Sequence, residues 1–169
     1  MKYFVFIISL VISNLSYSYE NNQLLLHNPA KKINFFDLET LDSKKVEIAD
    51  KLIKKKLILV NFWATWCPPC IKEIPDLLNL KKRFERDIEI IFVSVDANPT
   101  KVIPKFLKKN ELENFQTYID KKLDLAKELK VKVMPTTLVI NEGPHELARV
   151  EGYIDWLNQE LLNELKNLL

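Results

Sequence analysis

Cys67 and Cys70 are the only cysteines in the chain, and they stand three apart in the run Phe62-Trp63-Ala64-Thr65-Trp66-Cys67-Pro68-Pro69-Cys70. Two thiols at this spacing, placed where a strand runs into a helix, suit thiol–disulfide exchange. The first sulfur meets the unpaired N–H groups and positive dipole end of the helix, which favour its thiolate. The second lies one turn on and can close on it. Cys67 is therefore the expected attacking thiol, exposed, and Cys70 the resolving one. Pro68 and Pro69 preset the first helical turn but add neither N–H groups nor charge, which points to a mild pKa depression and a reducing couple. Glu73 follows Cys70 by three, where a carboxyl can exchange a proton with the resolving thiol; the plainer alternative is a helix-dipole partner. Trp63 and Trp66 flank the pair, one expected in the core and one as a partly exposed platform. The rival chemistry is half of a zinc site completed by His27 and His145, but neither histidine stands at finger spacing and both are expected to face solvent.

Positioning such a pair requires a strand before it and a helix after it. Residues 57–62 form a continuous apolar run, as a strand covered on both faces requires. Ile71, Ile74, Leu77, Leu78 and Phe84 recur at helical spacing, with Pro75 inside the pattern as an expected kink. Upstream, residues 33–38 and 45–48 read as two short strands around the turn Asp42-Ser43-Lys44. Downstream come a strand at 88–95, helices near 101–109 and 122–129, a hairpin of strands 137–140 and 147–150 about Asn141-Glu142-Gly143-Pro144, and a helix over 154–166. The expected fold class is α/β: a thioredoxin-like fold with a central mixed β-sheet, helices on both faces and an N-terminal β-hairpin extension.

With 169 residues, 47% of them hydrophobic, the chain fits one domain whose core needs no disulfide staple. A net charge of +2 gives no footprint for nucleic acid, and the lysine-rich run Lys51-Leu52-Ile53-Lys54-Lys55-Lys56 reads as a solvated helix end. At the N-terminus, Lys2 precedes an apolar stretch from Tyr3 to Ile12, and small residues follow at Ser16 and Ser18. This reads as a signal peptide over 1–18, cut before Tyr19 or kept as an anchor, although Ser13 and Asn14 interrupt it well short of the ~20 apolar residues of a full span. Residues 19–30 are expected as a linker and 31–169 as the domain. Export implies an oxidising, periplasmic setting, where a lone dithiol either donates oxidising equivalents or is kept reduced by a dedicated electron source.

The run Val60-Asn61-Phe62-Trp63-Ala64-Thr65-Trp66-Cys67-Pro68-Pro69-Cys70 with Glu73 and Pro75, together with Val131-Lys132-Val133-Met134-Pro135-Thr136-Thr137, closely resembles exported thioredoxin-like proteins of the TlpA/ResA/DsbE type over about residues 29–165. The resemblance implies that Pro135 is cis and packs against the disulfide. It also implies that Met134, Pro135 and Thr136, with Trp66, Pro68 and Pro69, bind an extended substrate segment. Asn61 replaces the buried aspartate of general thioredoxins and Val133 replaces a glycine common before the cis-proline. The Asn61–Glu73 combination is that of the exported branch. The activity implied is reduction of specific protein disulfides on the cytochrome c maturation or copper-site assembly pattern. The substrate would be apocytochrome c or a copper-site assembly protein, and a membrane thiol electron donor would restore the dithiol. No cofactor, metal or nucleic acid is expected, and the chain is expected to be a monomer. The alternatives are a general thiol oxidant and a copper-binding assembly module.

Overall fold

A computed structural model describes residues 24–52, 55–112 and 114–169. Residues 1–18, read as a signal peptide, lie outside it. Among the described residues no helix is long and apolar enough to cross a membrane.

Eight strands form one sheet: β1 (Leu25–Lys32), β2 (Asp37–Glu39), β3 (Lys45–Glu47), β4 (Leu57–Trp63), β5 (Ile88–Ser94), β6 (Tyr118–Ile119), β7 (Thr136–Asn141) and β8 (His145–Glu151). Their order is β1-β8-β7-β4-β5-β6-β2-β3. β4 pairs with β5, and β5 with β6, in parallel; β4–β7, β7–β8, β1–β8, β2–β3 and β2–β6 are antiparallel. All seven residues of β4 are buried, as expected of a central strand with both faces covered. The helices are α1 (Ala49–Leu52), α2 (Pro68–Arg83), α3 (Pro99–Lys109), α4 (Asp124–Glu128) and α5 (Gln159–Asn167). The mixed sheet and the β2–β3 hairpin extension are as the sequence predicts.

Several elements differ from the sequence reading. Residues 19–30 are described only from Leu24, and instead of a linker the chain forms β1, whose alternate residues are not buried. β1 is held by its ladder to β8 and by His27 rather than by an apolar face, so it leaves no periodic signal. The first short strand begins at Asp37 rather than residue 33, and the two-residue β6 was not foreseen. α4 starts late because Leu123 is left-handed (φ 60) and the Asp120 carboxylate accepts from Ala126 N at 2.8 Å. The last helix starts at Gln159, where Asn158 Oδ1 accepts from the N–H groups of Glu160 and Leu161. That cap keeps residues 154–157 in a loop and sends Trp156 into the core. Pro75 lies inside α2, which runs on to Arg83.

Candidate active site

α2 begins with Cys67 as N-cap and Pro68 in its first turn, and the Cys67 sulfur accepts the Cys70 N–H at 3.3 Å. The two sulfurs form a disulfide, with Cα atoms 5.3 Å apart. The exposed attacking sulfur expected at Cys67 is corrected here: Cys67 is 4% exposed and Cys70 fully buried. The bond to Cys70 and the N-cap contact both draw the sulfur back toward the helix start. Trp66 beside it is 65% exposed, whereas Trp63 is buried, donates from Nε1 to Thr117 Oγ1 at 2.9 Å and packs edge-on against Phe115.

The turn that delivers Cys67 is fixed from β5. Buried Asp96 accepts from Thr65 N (3.0 Å), Thr65 Oγ1 (2.8 Å) and Ser94 Oγ (2.8 Å). Nothing in the sequence pattern marks this anchor beyond a polar residue closing an apolar strand.

The Met134–Pro135 peptide bond is cis. Its loop is held on two sides. Gly152 N donates to Pro135 O at 2.7 Å, and Thr136 Oγ1 donates to Val133 O at 2.9 Å. At the root of the same loop, Arg149 donates to the carbonyls of Leu129 (3.1 Å) and Lys130 (3.4 Å). Met134 is half-buried and Val133 exposed, so an apolar edge flanks the cis-proline.

Glu73 occupies the apolar stripe of α2 with Cys70, Ile74, Leu77 and Leu80, and is fully buried. Its carboxyl is held by two donors: Asn61 Nδ2 to Oε1 at 2.7 Å and Trp156 Nε1 to Oε2 at 3.1 Å. Burial pushes its pKa up to about 7, against the lowering effect of the Trp156 and Asn61 hydrogen bonds, with Asp76 adding a small upward push. A carboxyl poised near neutrality, one helical turn from the resolving cysteine, has the protonation behaviour of a general acid–base. Trp156 and Thr137, which completes the cluster by accepting from Asn61 Nδ2 at 2.9 Å, were not foreseen. They reach Glu73 only through tertiary packing.

The histidines also need correction. His27 is not solvent-facing: its side chain is 12% exposed and its Nε2 lies 2.8 Å from Glu146 Oε1. His145 is half-buried in β8. Among the described residues no group of three or more His, Cys, Asp or Glu side chains is placed to hold a metal ion.

The family model described as the AhpC/TSA family matches residues 29–144, a stretch that includes both cysteines, Glu73 and Pro135. The chain belongs to that family. It is 34% identical over 119 residues to a thiol-disulfide oxidoreductase ResA of Bacillus thuringiensis, the match covering 69% of this chain and 66% of that protein. With the ResA of Bacillus subtilis it shares 30% identity over 135 residues, covering 79% of this chain and 72% of that one. A solved DsbF homologue from Corynebacterium diphtheriae superposes with a TM-score of 0.68 at 22% identity, covering 90% of this chain and 96% of that one, which shows the shared fold. The chain thus belongs with the thiol-disulfide oxidoreductases of the ResA type and carries a close cysteine pair.

Proposed function

We propose that this protein is an exported reductant of specific protein disulfides. The observation that carries the reading is the Cys67–Cys70 pair at the start of α2, with an uncharged Pro-Pro insert and a buried carboxyl of near-neutral pKa behind it. In the reduced enzyme the Cys67 thiolate attacks one sulfur of the target disulfide. A Cys67–target disulfide forms and one target thiolate leaves. Cys70 passes its proton to Glu73 and attacks the Cys67 sulfur, forming the Cys67–Cys70 disulfide and releasing the second target thiolate. Two electrons have moved from the dithiol to the target.

The exposed ring of Trp66, with Pro68, Pro69 and the loop of Met134, Pro135 and Thr136, supplies an apolar platform and backbone edges for an extended target segment. The family resemblance favours an apocytochrome c or a copper-site assembly protein as target and a membrane thiol donor as the source of electrons. The enzyme works as a monomer.

The reduction potential of the Cys67–Cys70 couple tests the direction. It is expected near the thioredoxin value of about −270 mV; a value near the strong-oxidant end, about −120 mV, would remove the reductase reading. Cys67→Ser should abolish reduction of a model disulfide, whereas Cys70→Ser should accumulate the mixed disulfide. Unchanged turnover by Cys70→Ser would rule out the dithiol mechanism.

A further inference from the structure

Four side chains from separate segments meet around the buried carboxyl: Asn61 from β4, Glu73 from α2, Thr137 from β7 and Trp156 from the loop before α5, none more than 1% exposed. Their donors and acceptors do not match evenly. Asn61 Nδ2 gives one hydrogen to Glu73 Oε1 and the other to Thr137 Oγ1. Trp156 Nε1 gives its single hydrogen to Glu73 Oε2. Asn61 Oδ1 accepts nothing, and among the described residues it is the one buried side-chain polar atom without a partner.

Both side chains that hydrogen-bond Glu73 are therefore donors. That arrangement suits a carboxylate. A protonated carboxyl carries an O–H that needs an acceptor, and an indole N–H can only donate. Burying that O–H against a second donor would leave it unpaired, which costs the desolvation of a polar group with no hydrogen bond in return. Yet burial keeps Glu73 protonated through much of the range below neutrality.

We infer that the Asn61 side-chain amide is a two-way partner of Glu73, turning over when the carboxyl gains its proton so that Oδ1 replaces Nδ2 in front of both Glu73 and Thr137. The two ends of a primary amide are nearly equal in size, so the turn disturbs no packing. Oδ1 has two lone pairs, enough to accept from the Glu73 O–H and from the Thr137 hydroxyl, which rotates from accepting to donating. Trp156 decides where the proton sits: its N–H keeps Oε2 bare, so the proton rides on Oε1, the oxygen facing Asn61. Each orientation leaves one end of the amide unpaired, Oδ1 in one and the amino group in the other, so that term favours neither. An aspartate at this position would add a second charge, and an apolar residue could serve neither protonation state. Asparagine serves both.

The charged and titratable surroundings are few. On α2, Asp76 acts on Glu73, Cys70 is held in the disulfide, and Lys72 Nζ lies over the Tyr153 ring at 4.3 Å. β4, β7 and the loop before α5 present the neutral Asn61, Thr137 and Trp156. The inference deepens the proton-relay role given to Glu73 in the proposed function, and rests on that role for its use in catalysis, but its test does not involve thiol chemistry.

The test is nuclear magnetic resonance on the oxidised full chain, following the Glu73 carboxyl carbon and the Asn61 side-chain amide at pH ~5 and pH ~9, either side of the Glu73 midpoint. Nuclear Overhauser contacts from the Asn61 amide hydrogens to Thr137 should be strong at the high pH and lost at the low one, with the midpoint of the Glu73 titration. In Glu73→Gln the change should no longer follow pH. Contacts that persist at both pH values while Glu73 titrates would overturn the inference. A second measurement compares variants. Trp156→Phe, which removes a pure donor, should raise the Glu73 pKa. Asn61→Ala, which removes a partner of both states, should raise it by less than half as much. A rise of half or more in Asn61→Ala would show a fixed donor and overturn the inference. Because no substrate or free thiol is present, failure of the reductase reading would leave these outcomes intact, and a working reductase with a fixed Asn61 would sink the inference alone.

Discussion

Two glutamates are buried almost equally in this protein, Glu73 at 0% and Glu146 at 2% exposure, and they are pushed in opposite directions. Burial raises the Glu73 pKa to about 7, and the neutral donors Trp156 and Asn61 only partly oppose it. Burial also acts to raise Glu146, but the hydrogen bonds and charges of Arg149 and His27 outweigh it and hold the carboxyl below its ordinary value. Arg149 grips it with two donors, Nε to Oε1 at 2.6 Å and Nη2 to Oε2 at 2.9 Å. Burial alone therefore does not make a carboxyl reactive. The charge of its partners decides, and this fold keeps the cation at the structural site and out of the redox one.

The largest effect should come from breaking the structural pair. Arg149→Met leaves Glu146 buried beside His27 alone and frees the Leu129 and Lys130 carbonyls, so denaturant melts should show a loss of about 3–5 kcal/mol at neutral pH. The loss should shrink in acid as Glu146 takes up a proton. An equal loss at both pH values would mean that the carbonyl contacts, not the charge pair, dominate.

The two carboxyls should next be separable by the pH dependence of stability. The folded Glu73 pKa lies above its unfolded value, so its favourable contribution is complete below about pH 4.5 and disappears as pH rises to about 7. Over that window it amounts to roughly 3 kcal/mol. Glu146 has the opposite sign: its contribution is present above its unfolded pKa and is lost as pH falls through the lowered folded one. Glu73→Gln should flatten the upper window and leave the acid limb, as read by melts across pH.

In catalysis, Glu73→Gln should slow the resolving step by about 10²-fold or more and abolish its inflection near pH 7, while alkylation of reduced Cys67 continues. A variant that loses the stability window but keeps the wild-type pH–rate profile would make Glu73 purely structural. The smallest effect on folding should follow Trp66→Ala. A ring 65% exposed contributes little to the core, so melting should move by no more than about 0.5 kcal/mol. Mixed-disulfide formation with a protein target should nevertheless weaken, more than with a small disulfide.

The cysteines and Glu73 were legible in the sequence; the distant partners of Glu73 and the whole Glu146 pair were not. Cys67, Cys70 and Glu73 share one helix, where spacing of three residues translates directly into shared faces, and the cis-proline loop is a local motif. Trp156, Thr137 and Asp96 come from distant segments, and only the closed sheet brings them to the site. β1 escaped for another reason: an edge strand without a buried face shows no alternation, so a stretch of ladder looks like a linker. His27, read as solvent-facing, gains its buried partner only through that ladder.

The direction of β1 has a spatial consequence. Leu25 pairs with Arg149 and Lys32 with His145, while Glu151 pairs with Thr136 and Thr136 with Phe62. The start of β1 therefore lies at the end of the sheet where β4 delivers the disulfide. Leu24 therefore enters the domain at the end of the sheet that carries the sulfurs, three strands away from β4 at the sheet's edge.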